Sequence, residues 1–222
     1  MEIGVIGAGG GGAAATYVID NTTEADVTVF EKSRGVCGRA AARRRDGTVY
    51  EYGANYLKDD DERVNELVTE EFDDGLVEVE GPIWTFDAEG NVSEGRDSDE
   101  RRWTYDDGVP RLAKHLFGAT DATVNRGTRI DGVRYGDGWR LTDDGGGEHG
   151  PFEALVVNPP APQTSELLTE TGVGAVDRLG DAAAEVPYRT VWTAVLGYGF
   201  EVDAPYYALI NTDDGHDIGW VG

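Results

Sequence analysis

The sequence predicts an α/β protein whose main part is a Rossmann-like domain, in which a parallel sheet carries an antiparallel β-meander. Three neighbouring features predict this fold. An apolar strand at 2–6 runs into the glycine-rich segment 7–12, and an alanine-rich helix follows at about 13–19. A second apolar strand at 27–30 then ends on the acid Glu31. This is a G-x-G-x-x-G fingerprint between a strand and a helix, with an acid about 20 residues further on.

The glycine segment is the candidate for a phosphate-binding turn. Gly7 permits the tight turn, Gly9 lets the backbone approach a pyrophosphate, and Gly12 lets the helix pack near the strand. Ala8 lies in the same turn, and the helix amino end presents N–H groups and a positive dipole to the phosphates. Glu31 is expected to accept hydrogen bonds from an adenosine ribose and to repel a 2′-phosphate. A dinucleotide site is therefore predicted. The alternative is a structural turn with an empty site.

Two further segments narrow the choice of dinucleotide. Residues 31–39 read E-K-S-R-G-V-C-G-R, and residues 50–56 read Y-E-Y-G-A-N-Y. With these segments the chain resembles the flavin-containing amine oxidase superfamily, and most closely its renalase-like branch. Members of that family carry an E-K-x-x-x-x-G-G-R-type loop and then a D/E-x-G-A-x-Y segment. The resemblance covers essentially the whole chain.

The resemblance implies FAD as the cofactor, with Gly38 and Arg39 on the diphosphate and residues 53–55 along the flavin ring. Arginine offers phosphate oxygens a planar, permanently charged fork, and Gly-Ala lets a flat ring approach the backbone. Ile130 corresponds to a place where the family's backbone meets the adenine, although a buried strand residue explains it equally well. The positions that the resemblance adds to the site are Lys32, Gly38, Arg39, Gly53, Ala54, Asn55 and Ile130.

The chain departs from the family at Cys37, which stands where the first glycine of the pair is usual. A redox thiol is one interpretation. The preferred one is a small residue tucked beside the phosphate loop. Because nucleotide-linked dehydrogenases lack the loop at 35–39, the two motifs together favour FAD over NAD.

The composition is strongly acidic, since 43 Asp and Glu against 19 Lys and Arg give a formal net charge of −24. This excess resembles adaptation to a salt-rich cytoplasm, where counterions screen self-repulsion. The alternative is an ordinary acidic surface. The sequence has no basic stripe, so neither nucleic acid nor membrane is an expected partner. A single cysteine, no apolar run near about 18 residues and a first strand that starts at residue 2 predict a leaderless cytoplasmic protein.

The rest of the chain predicts two domains. Residues 1–75 and 105–160 form a discontinuous FAD-binding domain, and residues 76–104 and 161–222 form a partial α+β substrate domain. The meander is expected at 124–157. The acidic run 59–62 is interpreted as a helix cap, and no metal site is expected. The remaining predicted elements are helices at about 61–72, 111–117 and 175–184, strands at 83–86, 152–157, 189–196, 206–210 and 218–220, and a charged loop or edge at 90–102.

Family members continue beyond the residue at which this chain ends, with a last strand, a glycine-plus-acid motif near the flavin and a final helix. The resemblance therefore leaves three expectations open. The chain is a fragment, or a second polypeptide completes the fold, or a shortened protein has lost tight flavin binding. Self-association or a C-terminal partner would cover the incomplete sheet.

The leading functional interpretation follows from the resemblance. It implies an FAD-dependent oxidoreductase that takes a hydride from a small dihydronicotinamide-like or amine donor and passes electrons to oxygen. No acid–base pair or nucleophile triad is evident, so no catalytic residue is named. One alternative is an NAD-linked dehydrogenase, for which the first fingerprint alone would suffice. Another is a non-enzymatic or incomplete nucleotide-binding fragment. Four aromatic residues are interpreted as core residues, and the alternative is that they line an apolar pocket. They are Trp192, Tyr206, Tyr207 and Trp220.

Overall fold

The computed structural model describes residues 1–95 and 100–222, which form a mixed α/β fold. The predicted charged loop or edge at 90–102 falls partly on residues 96–99, outside the described residues. The strands are β1 Glu2–Ile6, β2 Asp26–Glu31, β3 Ala42–Arg45, β4 Thr48–Glu51, β5 Leu57–Lys58, β6 Leu76–Glu78, β7 Ile83–Phe86, β8 Val92–Ser93, β9 Arg102–Tyr105, β10 Thr123–Arg126, β11 Ile130–Tyr135, β12 Trp139–Asp143, β13 Glu148–Phe152, β14 Ala154–Val157, β15 Ala208–Asn211 and β16 Trp220–Val221. The α-helices are α1 Gly10–Thr22, α2 Glu62–Glu66, α3 Pro110–Gly118, α4 Ala161–Leu167 and α5 Gly174–Ala184, with a 3-10 turn at Gly38–Ala40 and a π-helical turn at Leu67–Glu71.

The described chain forms two compact units. The first unit consists of Met1–Asn55 and Asp107–Thr193, and the second of Tyr56–Asp106 and Ala194–Gly222. These divisions differ from the predicted boundaries at residues 75, 105 and 160. β5 joins the second unit because it pairs with β9, and α4 joins the first because it packs against β11 and α5. The assignment of one part to cofactor and the other to substrate stays a prediction.

A parallel sheet in the order β10-β2-β1-β14 lies at the centre of the first unit. Val5 and Val29 are completely buried in its two central strands, as expected for strands covered on both faces. The predicted strands at 2–6 and 27–30 are confirmed, and the predicted helix at 13–19 lies within α1. Because all four strands run in one direction, the segments that follow β1, β2 and β14 emerge at the same edge of the sheet.

The antiparallel meander is present but shorter than predicted. It comprises β11, β12 and β13, whereas β10 and β14, at the two ends of the predicted range, pair into the parallel sheet. The single strand predicted at 152–157 is divided at Glu153, whose N–H donates to the Glu2 carbonyl oxygen at 2.9 Å. Ile130, Leu141 and Phe152 form the core between the meander and β1 and β2.

The second unit contains two small sheets, in the orders β5-β9-β6 and β16-β15-β7-β8. The strand predicted at 83–86 is confirmed, and the last two strands begin two residues later than predicted. The helix predicted at 61–72 is present as α2 and the π-helical turn after it. Asp61 caps α2 by accepting hydrogen bonds from the N–H groups of Arg63 and Val64, which confirms the capping role of the acidic run.

The strand predicted at 189–196 is wrong. This segment has no helix or strand assignment, and the side chain of Trp192 is 92% exposed. An apolar run forms a strand only where another strand supplies hydrogen bonds to it. No strand in the described part of the chain does so for this segment. None of the helices in the described ranges combines the length and the apolar character needed to cross a bilayer.

Candidate dinucleotide-binding site

Two glycines in the turn after β1, Gly7 and Gly12, stand at positions that do not suit a larger residue. Gly7 has a φ of +97°, in the left-handed region that favours glycine. Its N–H donates to the Phe30 carbonyl oxygen at 2.8 Å, which ties the turn to β2. A Cβ atom on Gly12 would overlap the Gly7 carbonyl oxygen. The first turn of α1 can therefore pack against β1 only without a side chain at this position.

In the described part of the chain, no side chain caps the amino end of α1 with a hydrogen bond. Gly9 is the N-cap and makes no side-chain capping bond, and the first turn contains no acidic residue. Acidic residues are usually favoured at this position because of the helix dipole. Their absence from it is notable in a chain with a net charge of −24. The unpaired N–H groups and the positive dipole end suit an anion such as a phosphate.

Glu31, at the end of β2, is buried beside this turn with an exposure of 6%. Its Oε2 accepts a hydrogen bond from the Ala8 N–H at 2.8 Å, and its Oε1 accepts one from the Ser33 N–H at 2.7 Å. A carboxylate has about four lone-pair positions, so each oxygen retains capacity for one further donor. The predicted role towards a ribose is compatible with this geometry, and Glu31 also fixes the turn to β2.

The second predicted segment lies directly against the glycine turn. The Cys37 N–H donates to the Ala8 carbonyl oxygen at 2.8 Å, and Gly9 and Cys37 form a parallel bridge. Gly38 has a φ of +56°, and a Cβ on it would lie 3.3 Å from the Gly9 Cα. The backbones of the two segments therefore approach as closely as glycine allows.

The third predicted segment contacts the second. The Ala54 N–H donates to the Arg39 carbonyl oxygen at 3.3 Å, and a Cβ on Gly53 would overlap the same oxygen. The Arg39 side chain is exposed, and its guanidinium pairs with no acid among the described residues. The structure thus brings the segments around Gly9, Arg39 and Gly53 together in one continuous series.

The other predicted site residues surround this series less closely. Lys32 is exposed directly after Glu31, and Asn55 is half-buried at the end of the first stretch of the first unit. The Ile130 side chain is 7% exposed and belongs to the core. The backbone just before it lies beside the end of β2, since the Thr128 N–H donates to the Glu31 carbonyl oxygen at 2.9 Å.

Cys37 behaves as a buried structural residue. It has a φ of 80°, a backbone conformation that glycine adopts more easily than other residues. This explains why glycine is usual at this position in the family that the chain resembles. Burial raises the pKa of its thiol to about 11, and the charge of Glu51 acts in the same direction. A thiol with such a pKa stays protonated at neutral pH and is a poor nucleophile, which supports the interpretation of a small packing residue.

Alkylation of Cys37 is expected to depend on pH in a way that reports this burial. In the folded protein the rate with iodoacetamide should rise towards a midpoint near pH 11, whereas the ordinary value of 9.0 applies to the unfolded chain. Because the thiolate is disfavoured in the fold, stability should fall as the pH rises from 9.0 to about 11. Mass spectrometry of the single cysteine, with the fold followed by circular dichroism, measures both. A folded midpoint at or below pH 9.0 would contradict the expectation.

Glu51 connects the strand before Gly53 to α3. Its Oε1 accepts a hydrogen bond at 2.7 Å from the N–H of Val109, the N-cap of α3, which has no side-chain cap of its own. Burial raises the pKa of Glu51, although the hydrogen bond from Val109 opposes that shift. A Cβ on Gly108 would lie 3.2 Å from Oε1, so glycine makes room for the carboxylate.

Asn158 is a site residue that the sequence reasoning missed. It directly follows β14, and its N–H donates to the Ile6 carbonyl oxygen at 2.9 Å. Its exposed side-chain amide lies over the glycine turn, with Nδ2 2.8 Å from the place where a Gly11 Cβ would be. The run Asn-Pro-Pro reads as a strand end. The rule that segments after parallel strands meet at one edge of the sheet could have identified it.

No group of three or more His, Cys, Asp or Glu side chains in the described ranges could hold a metal ion. Residues 5–70 match a family described as an NAD(P)-binding Rossmann-like domain. That match includes the glycine turn, the loop around Arg39 and the segment around Gly53.

Solved structures share this fold over most of the chain. One, from Exiguobacterium sp. 255-15, carries the provisional name protoporphyrinogen oxidase, with 13% identity, a TM-score of 0.58 and coverage of 76% of this chain and 61% of that one. A fatty acid isomerase from P. acnes has 14% identity, a TM-score of 0.61 and coverage of 74% and 60%. Putrescine oxidase with bound putrescine has 14% identity, a TM-score of 0.54 and coverage of 72% and 59%.

This chain therefore spans about three fifths of the length of those proteins. At such low identity the likeness concerns the fold. The geometry of the turn after β1, the match over residues 5–70 and the solved structures agree that the fold is Rossmann-like.

Proposed function

We propose that this protein binds FAD and is an FAD-dependent oxidoreductase of the amine oxidase type, most similar to the renalase-like branch. It oxidises a small reduced donor, a dihydronicotinamide-like compound or an amine, and oxygen accepts the electrons. The observation that carries the proposal is the contact series of three segments at the amino end of α1. The Cys37 N–H donates to the Ala8 carbonyl oxygen, and the Ala54 N–H donates to the Arg39 carbonyl oxygen.

This series supports a flavin dinucleotide over a nicotinamide one. A nicotinamide site of the Rossmann type needs the glycine turn and the acid after the second strand. It gives no reason for Gly38 to lie against Gly9, or for Gly53 to lie against Arg39 without room for a side chain. A longer cofactor that extends from the helix end across both segments uses all of these close backbone approaches.

The residues present suit the cofactor. The uncapped amino end of α1 would hold the diphosphate from one side, and the unpaired Arg39 guanidinium would neutralise its charge. Glu31 would accept hydrogen bonds from the ribose, and residues 53–55 would lie along the ring system. When bound, FAD supplies the hydride acceptor, so the protein's part is to orient donor and cofactor. The likeness to putrescine oxidase supports the amine among the candidate donors.

A titration with FAD tests the proposal directly. Arg39→Ala should weaken FAD binding by about 10- to 100-fold, because it removes hydrogen bonds between charged groups that are worth about 1.5–3 kcal/mol. Its unfolding midpoint should stay unchanged, since the Arg39 side chain is exposed. Flavin fluorescence and the visible spectrum, recorded in concentrated and in dilute salt, measure the affinity.

The matched control is Arg34→Ala, because Arg34 is exposed in the same loop and should leave the FAD affinity unchanged. Equal FAD affinities for the wild type and Arg39→Ala would contradict the proposed diphosphate contact. A protein that binds NAD and not FAD in the same titration would contradict the flavin assignment as a whole.

A further inference from the structure

A buried arginine in the second unit has no acidic partner among residues 1–95 and 100–222, which the structure describes. Arg102, the first residue of β9, is only 8% exposed. Its Nη2 donates to the Gly81 carbonyl oxygen at 2.6 Å, while its Nε is buried and has no hydrogen-bond partner. A guanidinium carries five N–H donors, and arginine is seldom buried without a partner charge. The group therefore retains both donors and charge for another acceptor.

The neighbouring cations are already neutralised. Lys58, the cross-strand partner of Arg102, forms an ion pair with Glu100 at 2.9 Å. Arg101 forms two hydrogen bonds of 2.9 Å with Glu78. No carboxylate among the described residues pairs with Arg102. On and beside the sheet β5-β9-β6, as far as the structure describes it, one positive charge is thus left without compensation.

Two tyrosine rings lie near the Arg102 guanidinium. The Arg102 guanidinium carbon lies 5.9 Å from the ring centroid of Tyr56 and 5.7 Å from that of Tyr207. The two rings are themselves edge to face, with centroids 6.1 Å apart. Aromatic faces attract a cation, yet they supply no negative charge and no strong acceptor for Nε–H. They leave the charge of Arg102 stabilised but not neutralised.

We propose that Arg102, with Tyr56 and Tyr207, forms an anion-recognition site in the second unit, and that its ligand is a small monovalent carboxylate. A carboxylate matches the planar guanidinium fork and can accept two parallel hydrogen bonds. One negative charge balances the one positive charge, whereas a phosphate dianion would leave a buried charge unpaired. Binding at this site does not depend on the cofactor.

Acetate is the probe. It replaces chloride stepwise at constant high ionic strength, and FAD is left out. Acetate should raise the unfolding temperature of the wild type and shift the Arg102 Nε–H resonance in the NMR spectrum. Arg102→Met should weaken acetate binding by at least about tenfold, because hydrogen bonds to a charged group are lost. The matched control is Arg101→Met, which loses an exposed ion pair and should keep the wild-type response to acetate.

A purely structural Arg102 predicts a different pattern. Arg102→Met would then lower stability through the lost bond to Gly81, and acetate would act on the wild type no more than chloride does. That result would overturn the proposal, and so would a stronger response to phosphate than to acetate. If Arg102→Met does not fold, the Nε–H resonance of the wild type decides alone. Since FAD is absent, failure here is distinct from failure of the proposed function.

Discussion

Replacing Gly12 by alanine is expected to destabilise the protein by about 3 kcal/mol or more and to abolish FAD binding. The added Cβ would overlap the Gly7 carbonyl oxygen, which is a backbone atom and cannot rotate away. Either α1 moves from β1, or the turn at Gly7 opens. Both changes displace the N–H groups that are proposed to hold the diphosphate. Urea unfolding and an FAD titration measure the two effects.

The control for this prediction lies two residues earlier in the same helix. A Cβ on Gly10 would meet no atom within 4 Å. Gly10→Ala should therefore stabilise the fold by about 0.5–1 kcal/mol, because alanine restricts the unfolded chain more than glycine does. If Gly10→Ala and Gly12→Ala changed the stability equally, the close approach of α1 and β1 could not be the reason for glycine at position 12.

Glu31→Ala has the second largest expected effect, a loss of roughly 2–5 kcal/mol of stability. It leaves the N–H groups of Ala8 and Ser33 without their carboxylate acceptor. Ala8 is completely buried, so water cannot easily replace the acceptor of its N–H group. The substitution should also weaken FAD binding, because the proposed ribose acceptor is lost. Thermal unfolding with and without FAD separates the two contributions.

Glu153→Ala is the matched control for Glu31→Ala. Glu153 also accepts a backbone hydrogen bond, from the Glu2 N–H at 2.7 Å, but its side chain is 64% exposed. Water can take its place, so the expected loss is below about 1 kcal/mol. Similar losses for the two variants would show that burial of Glu31 does not determine its contribution.

Local pattern was enough to predict the beginning of the fold. The apolar strands at 2–6 and 27–30 and the alanine-rich helix between them are each encoded by residues close in sequence. The same holds for α3, because Gly108 stands just before the helix and Pro110 is its first residue. These elements lie near the boundaries expected, because their signals do not depend on distant partners.

Pairing over long distances explains what the sequence did not predict. β13 contains Gly150 and Pro151, which break the alternation that marks a strand, yet it pairs with β12. The segment 189–196 has the apolar composition of a strand but lacks a partner in the described part of the chain. Strand formation depends on a neighbour as much as on composition. The divisions between the two units depend on the same distant pairings.

The candidate site shows the same limit. Its three segments were recognised from motifs, but the bridge between Gly9 and Cys37 could be known only from the structure. Asn158 was missed because its place over the turn depends on the pairing of β14 with β1. Arg102 stands in a charged stretch of sequence that reads as surface. Its burial depends on residues as distant as Tyr207.

The order of strands in the central sheet also has a consequence for biosynthesis. β1 has β2 on one side and β14 on the other, with Ile3 opposite Ala154. A ribosome therefore releases the first strand long before its second neighbour exists. Until residue 157 has emerged, one side of β1 presents unpaired amide and carbonyl groups. A nascent chain shorter than this exposes a sheet edge of the kind that favours aggregation.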